Sequence, residues 1–167
     1  MIIKRDFLIK NQLFFVKGLK SEDIEWSIRV YEYTPSWAFY PNNIFVTRRG
    51  REGSITSTVS YEHLVDYLKI VKNTAERLEK NENNEVRFIL LSYMMYHELI
   101  LTALIWTTKM ERARREKLNR NNKLLYKRYL CKYTLDKRVR YASKLYKIFG
   151  YEALQTVLGL YLKNRGR

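Results

Sequence analysis

Ile24-Glu25-Trp26-Ser27-Ile28-Arg29-Val30-Tyr31-Glu32-Tyr33 alternates over most of its length. Trp26, Ile28 and Val30 take even positions, with Glu25 and Arg29 between them. Successive side chains of a strand point to opposite faces, so this pattern predicts a half-buried β-strand. Upstream, Leu13-Phe14-Phe15-Val16 is an apolar run that ends at the turn signal Lys17-Gly18, and it predicts another strand. Downstream, Thr34-Pro35-Ser36 closes the quoted stretch. Asn42-Asn43 opens Ile44-Phe45-Val46-Thr47, Arg48 to Gly53 supplies a glycine-containing hairpin turn, and Ser54 to Val59 is rich in β-branched residues. The expectation is an antiparallel meander of three or four strands.

Further out, the signals change to helix. Ser60 is placed as an N-cap, with Val59 and Leu64 positioned as a hydrophobic staple. Leu64, Leu68, Val71 and Leu78 then recur at helical spacing, and Asn81-Glu82-Asn83-Asn84 breaks the chain. Residues 85–120 predict one long helix, apolar first and charged at its end. Asn121 to Tyr133 and Asp136 to Phe149 predict two more, the latter with Thr134 as cap and Gly150 as stop. Tyr151 to Lys163 predicts a last, apolar helix suited to packing or dimerisation. The fold class expected is α+β: residues 1–80 as antiparallel sheet plus covering helix, and 85–167 as a basic helical region.

Charge separates the same two regions. The chain has 167 residues and a net charge of +15. Residues 1–108 carry 14 basic and 13 acidic side chains, whereas residues 109–167 carry 18 and 4. A net +14 over the second region predicts a polyanionic partner, nucleic acid before an anionic membrane. Phe88–Thr107 is long enough to span a bilayer and is followed by basic residues, but His97 and Glu98 sit near its centre. It reads as a core helix or a dimer interface, and a membrane partner is not expected. The N-terminus lacks the features of a signal peptide, so the expected location is cytoplasmic or virion-internal. Glutamate outnumbers aspartate 13 to 4 and there are 14 tyrosines. The Lys/Glu enrichment fits a hyperthermophile, and eleven asparagines speak against one.

Chemistry-bearing motifs are few. One cysteine, Cys131, excludes an internal disulfide and a multi-cysteine zinc site. His97-Glu98 opens like a zinc-protease motif, but position 101 is Leu. There is no P-loop and no dinucleotide-binding glycine pattern, and no lysine has an acid two residues before it, as restriction-type nucleases do. The scattered carboxylates Asp23, Glu25, Glu32 and Glu98 leave a metal-dependent nuclease open as an alternative. No catalytic residue, metal or cofactor is otherwise expected.

Binding residues are easier to name. On the expected sheet, Arg29, Tyr31 and Tyr33 share one face, with Trp37, Tyr40, Arg48, Arg49 and Arg51 nearby. Aromatic rings beside guanidinium groups suit unpaired bases, which stack at roughly 1–3 kcal/mol each while the cations follow the phosphates. On the basic helices, Arg112, Arg114, Arg115, Lys127, Arg128, Lys137, Arg138 and Arg140 are candidates for sequence-independent phosphate contacts. Lys117, Arg120, Lys123 and Lys132 belong to the same series, and Tyr126, Tyr129, Tyr133 and Tyr141 interleave it.

The N-terminal half resembles the positive-cofactor-four family of coactivators and single-stranded-DNA-binding proteins. It is similar also to single-stranded-DNA-binding proteins of some hyperthermophilic archaea. The residues concerned are Ile28-Arg29-Val30-Tyr31, the turn and strand Arg51-Glu52-Gly53-Ser54-Ile55, and the helix from Leu64 to Lys69. The resemblance implies a homodimer that grips single strands across its sheets. The function expected is a non-enzymatic nucleic-acid-binding protein, single-stranded DNA first. The alternative is a viral or ribosomal structural nucleoprotein that binds duplex DNA or RNA.

Overall fold

A computed structural model describes residues 2–38 and 59–165. Among these residues every regular element is a helix. The chain is therefore all-α there, and the expected α+β class is overturned. The expected strand from residue 44 and the hairpin turn at 48–53 lie outside the described residues.

The decisive stretch is a helix. Arg5–Lys10 forms α1 and Glu22–Tyr33 forms α2. The residues that alternate also satisfy the helical repeat. Ile24 and Ile28 are four apart and face inward, Ile28 fully buried. Glu25 and Arg29 are four apart and form an ion pair of 2.7 Å. Glu22, Asp23 and Glu25 occupy the first turn, where carboxylates meet the positive end of the helix. Leu13–Val16 has no regular secondary structure and no strand partner among the described residues. Its carbonyls are taken by α2 side chains instead. Trp26 Nε1 donates to the Leu13 oxygen at 2.9 Å, and Arg29 Nη2 to the Phe14 oxygen at 2.6 Å. The Phe15 ring stacks on Trp26 at 4.6 Å.

The helix Tyr61–Leu78, α3, starts where Ser60 caps it, its Oγ accepting from the His63 amide at 3.3 Å. Leu64, Leu68, Val71, Ala75 and Leu78 form its buried stripe. Asn83 Oδ1 accepts from two amides and opens α4, Asn84–Thr107. This helix is apolar nearly all round, and its stretch from Leu90 to Ile105 is mostly buried against the others, as a central core helix must be. It is the one helix among the described residues long and apolar enough to cross a membrane, yet the greater part of its apolar window is covered by protein.

The expected long helix 85–120 is two. Thr108 leaves helical geometry, with ψ of 130°. Arg115 Nη2 then donates to the Thr108 carbonyl at 2.9 Å, tying the new helix α5, Arg112–Leu125, back to the end of α4. No glycine or proline marks this break. α5 buries only Leu118, Asn122 and Leu125. It runs into a π-helical turn, Tyr126–Leu130, that buries Tyr126, Tyr129 and Leu130 together. The last element, α6, is Lys137–Arg165. Asp136 caps it, its Oδ1 accepting from the Arg138 amide at 2.7 Å, where Thr134 was the expected cap. Gly150 interrupts it with φ of 80°, a value that favours glycine, and so divides α6 into two arms. One hydrophobic cluster draws on α2, α3, α4, α5, the π turn and both arms of α6.

Candidate nucleic-acid interface

The basic residues divide into those that hold the fold and those that hold nothing. A cation with a carboxylate beside it is already neutralised; one without is available to a phosphate.

Arg29 belongs to the first class. It is bound to Glu25 and to the Phe14 carbonyl. The face that alternation gives to Arg29, Tyr31 and Tyr33 does not exist. Residues two apart on a helix point about 200° apart, so Tyr31 lies opposite Arg29 and Tyr33, which are one turn apart on α2. Tyr31 and Tyr33 are exposed, and Trp37, beyond the end of α2, is 80% exposed. Among the described residues no sheet joins them, and the expected stacking of bases across a sheet is overturned. Tyr40, Arg48, Arg49 and Arg51 lie outside the described residues. So do Arg51 to Ile55 of the family resemblance, and its Ile28–Tyr31 segment is helical.

Most of the predicted arginines at 112–140 are also engaged. Arg112 pairs with Glu116 at 2.8 Å on an exposed surface. Arg114 lies between Glu111 and Glu62, with its guanidinium 4.9 Å from the Tyr61 ring centre. Arg115 is the tie to Thr108. Arg128 pairs with Glu79 and lies over Tyr129. Arg138 pairs with Asp136 at 2.6 Å and covers the Tyr96 ring at 3.8 Å; the Asp136 carboxylate holds its proton more tightly than usual for arginine. Arg140 donates to the Thr134 carbonyl at 3.5 Å. Tyr126 and Tyr129 are core residues, and Tyr133 is half-buried.

The unpaired cations form two helical rows. On α5 and the π turn, Lys117, Arg120 and Lys127 are exposed and have no carboxylate partner among the described residues. Their spacing follows the helical repeat, with exposed Leu124 between the last two. On the first arm of α6, Lys137, Lys144 and Lys147 do the same, with Arg140 and Tyr141 between them. Tyr141 is 66% exposed, one turn from both Lys137 and Lys144. At a rise of about 1.5 Å per residue, each row is about 15 Å long, enough to follow a few phosphates of one strand. Of the predicted residues, the structure keeps Lys117, Arg120, Lys127, Lys137 and Arg140 in these rows. Lys144 and Lys147 were missed, although their spacing from Lys137 was readable in the sequence.

Beneath the rows lies a buried polar network. Thr102 Oγ1 of α4 donates to the Glu98 carbonyl at 2.9 Å and accepts from Asn122 Nδ2 and the Tyr126 hydroxyl, both at 2.8 Å. Asn122 reaches the Tyr151 hydroxyl at 3.0 Å. That hydroxyl donates to Asn119 Oδ1 at 3.1 Å, which also accepts from Gln155 at 2.8 Å. The network ties α5, the π turn and the second arm of α6 to α4. Glu98 is fully buried and neither of its carboxylate oxygens has a hydrogen-bond partner. Burial holds its carboxyl neutral well above the usual carboxylate range. The preceding residue lies about 100° around α4, where His97 Nδ1 meets the Tyr67 hydroxyl at 2.9 Å. Burial pushes His97 down to about 4, against a smaller opposing pull from Asp23.

The carboxylates considered for a nuclease are not gathered. Glu25 pairs with Arg29, Glu32 with Arg77 and Asn81, and Glu98 is alone in the core. Among the described residues no three His, Cys, Asp or Glu side chains are grouped to hold a metal ion. No family model, characterised protein or solved structure matches the chain.

Proposed function

We propose that this protein binds nucleic acid without catalysing a reaction on it, through the phosphate backbone, along α5 and the first arm of α6. The observation that carries this reading is the pair of rows of exposed cations, Lys117-Arg120-Lys127 and Lys137-Lys144-Lys147, that lack carboxylate partners while most arginines around them have one. Rows of point charges on helix faces give affinity and little sequence preference. Helical faces suit a duplex or a folded RNA, which offers phosphates at regular spacing. A second reading, preference for unpaired strands, is favoured by Tyr141, an exposed ring among four cations on which a base could stack. A nucleic-acid partner also implies work inside a cell or a virion.

Fluorescence anisotropy with matched duplex and single-stranded DNA and RNA, over a salt series with and without magnesium, tests it. The expected result is binding that weakens steeply with salt and is similar across sequences. A single-strand preference abolished by Tyr141→Ala would select the second reading. Weak binding with no salt slope, or loss of the probe only with magnesium, would overturn the proposal.

A further inference from the structure

The second arm of α6, residues 151–165, has a back and a front. Its back is held by the core: Tyr151, Leu154 and Gln155 are buried, and Gly159 meets the Trp106 ring of α4 so closely that a Cβ would lie 2.3 Å from it. Its front is apolar and open. Val157 and Leu160 are 48% and 47% exposed, with half-buried Ala153 one turn before Val157. At about 100° per residue, Ala153, Val157, Leu160 and Asn164 fall within an arc of about 60°. Exposed Glu152, Thr156 and Lys163 form a second row along one edge of that stripe.

The edge row decides what covers the front. Glu152 and Lys163 are close to three full turns apart, so they stand at opposite ends of one edge. When two identical helices pack face to face and antiparallel, like edges meet and opposite ends meet. Glu152 of one copy then faces Lys163 of the other, and the contact occurs twice about a two-fold axis. The midpoint of the pair lies beside Val157, so the apolar stripe sits at the crossing. Lys163 has no carboxylate partner among the described residues of its own chain. We infer that this face pairs with the same face of a second copy of the chain, antiparallel, to form a two-fold dimer. A parallel pairing would bring unlike edges together and leave Lys163 unmatched. This inference is independent of nucleic-acid binding.

The test is sedimentation equilibrium of the full chain from about 1 to 100 µM, where a modest interface of this kind associates. The wild type is expected to dimerise. Leu160→Glu is expected to weaken association at least about tenfold, with helicity by circular dichroism unchanged. Glu152→Lys and Lys163→Glu alone each set like charges against each other and weaken it. The double variant restores opposite charges and is expected to associate better than either. Glu152 also pairs with Lys123 in its own chain, and that contact is lost in both Glu152→Lys and the double variant. Comparing those two therefore isolates the intermolecular contact. A wild type that stays monomeric, a Leu160→Glu variant that associates as before, or a double variant no better than the singles would each overturn the inference.

Discussion

Arg29 on α2 and Lys144 on α6 carry the same charge on helices of the same molecule, and their surroundings make them opposites. Around α2 each arginine has an acid. Arg29 has Glu25, and Arg77 of α3 reaches across to Glu32, whose other oxygen takes Asn81. Along the first arm of α6 the lysines outnumber the available acids, and Asp136 is already used by Arg138. The first region uses charge to place helices and the second leaves charge for a partner. A sum over the sequence shows how many cations are in excess but not which ones. Only the pairing shows that the arginines are mostly committed and the lysines mostly free.

Breaking the free set should have the largest effect. Replacing Lys137, Lys144 and Lys147 together by Glu is expected to weaken nucleic-acid binding at least about a hundredfold near 0.1 M salt. It should also flatten the dependence on log salt by about three units, with the melting temperature retained. The Lys117, Arg120 and Lys127 triple should behave alike. If either triple binds like the wild type, that row is not the interface.

Stability experiments sharpen the other side of the comparison. His97 is buried with its pKa down at about 4, so the unfolded chain binds its proton more readily between pH 6.5 and 4. Stability should therefore fall as pH drops through that window, by up to about 2–3 kcal/mol from this residue. In His97→Gln that part of the slope should vanish, as read by urea unfolding at a series of pH values. Glu98 acts with the opposite sign. Its folded carboxyl stays protonated above the unfolded value, so the stability due to it is lost as pH rises above about 4.5. Glu98→Gln should be no less stable than the wild type at pH 7, with an advantage that grows with pH.

Smaller effects follow at the committed arginines. Arg77→Ala leaves the largely buried Glu32 carboxylate with Asn81 alone. It should cost about 1–2 kcal/mol of stability and leave nucleic-acid affinity unchanged. Arg112, paired with Glu116 in full solvent, should be the least sensitive: Arg112→Ala leaves the melting temperature unchanged. Loss of binding in Arg77→Ala without loss of stability would erase the distinction between the two regions.

Much of the helical half was legible. Ser60 and Gly150 act by their own chemistry, as a cap and as a stop at positive φ, each where the sequence places it, while Asn83 caps α4 inside a stretch that reads in the sequence only as a chain break. α2 was misread because ten residues can satisfy two periods at once. Trp26, Ile28 and Val30 alternate, yet Ile24–Ile28 and Glu25–Arg29 fit a helix equally, and three acids in the first turn favour the helix. The break after Thr107 is invisible locally, since no glycine or proline marks it and the contact made there, from Arg115 to the Thr108 carbonyl, comes from seven residues beyond Thr108. For the site, the sequence locates the basic half but cannot show that Arg128 spends its charge on Glu79, a residue from a distant helix.

The burial of α4 also sets an order of events at the ribosome. Its cover comes in large part from α5 and α6, which are made after it. While they are being translated, a 24-residue apolar helix stands with a bare flank, the kind of segment that membrane-insertion machinery and aggregation both select. Glu98 near its middle then acts before folding is complete: it makes the helix a poor membrane span until its own chain closes over it.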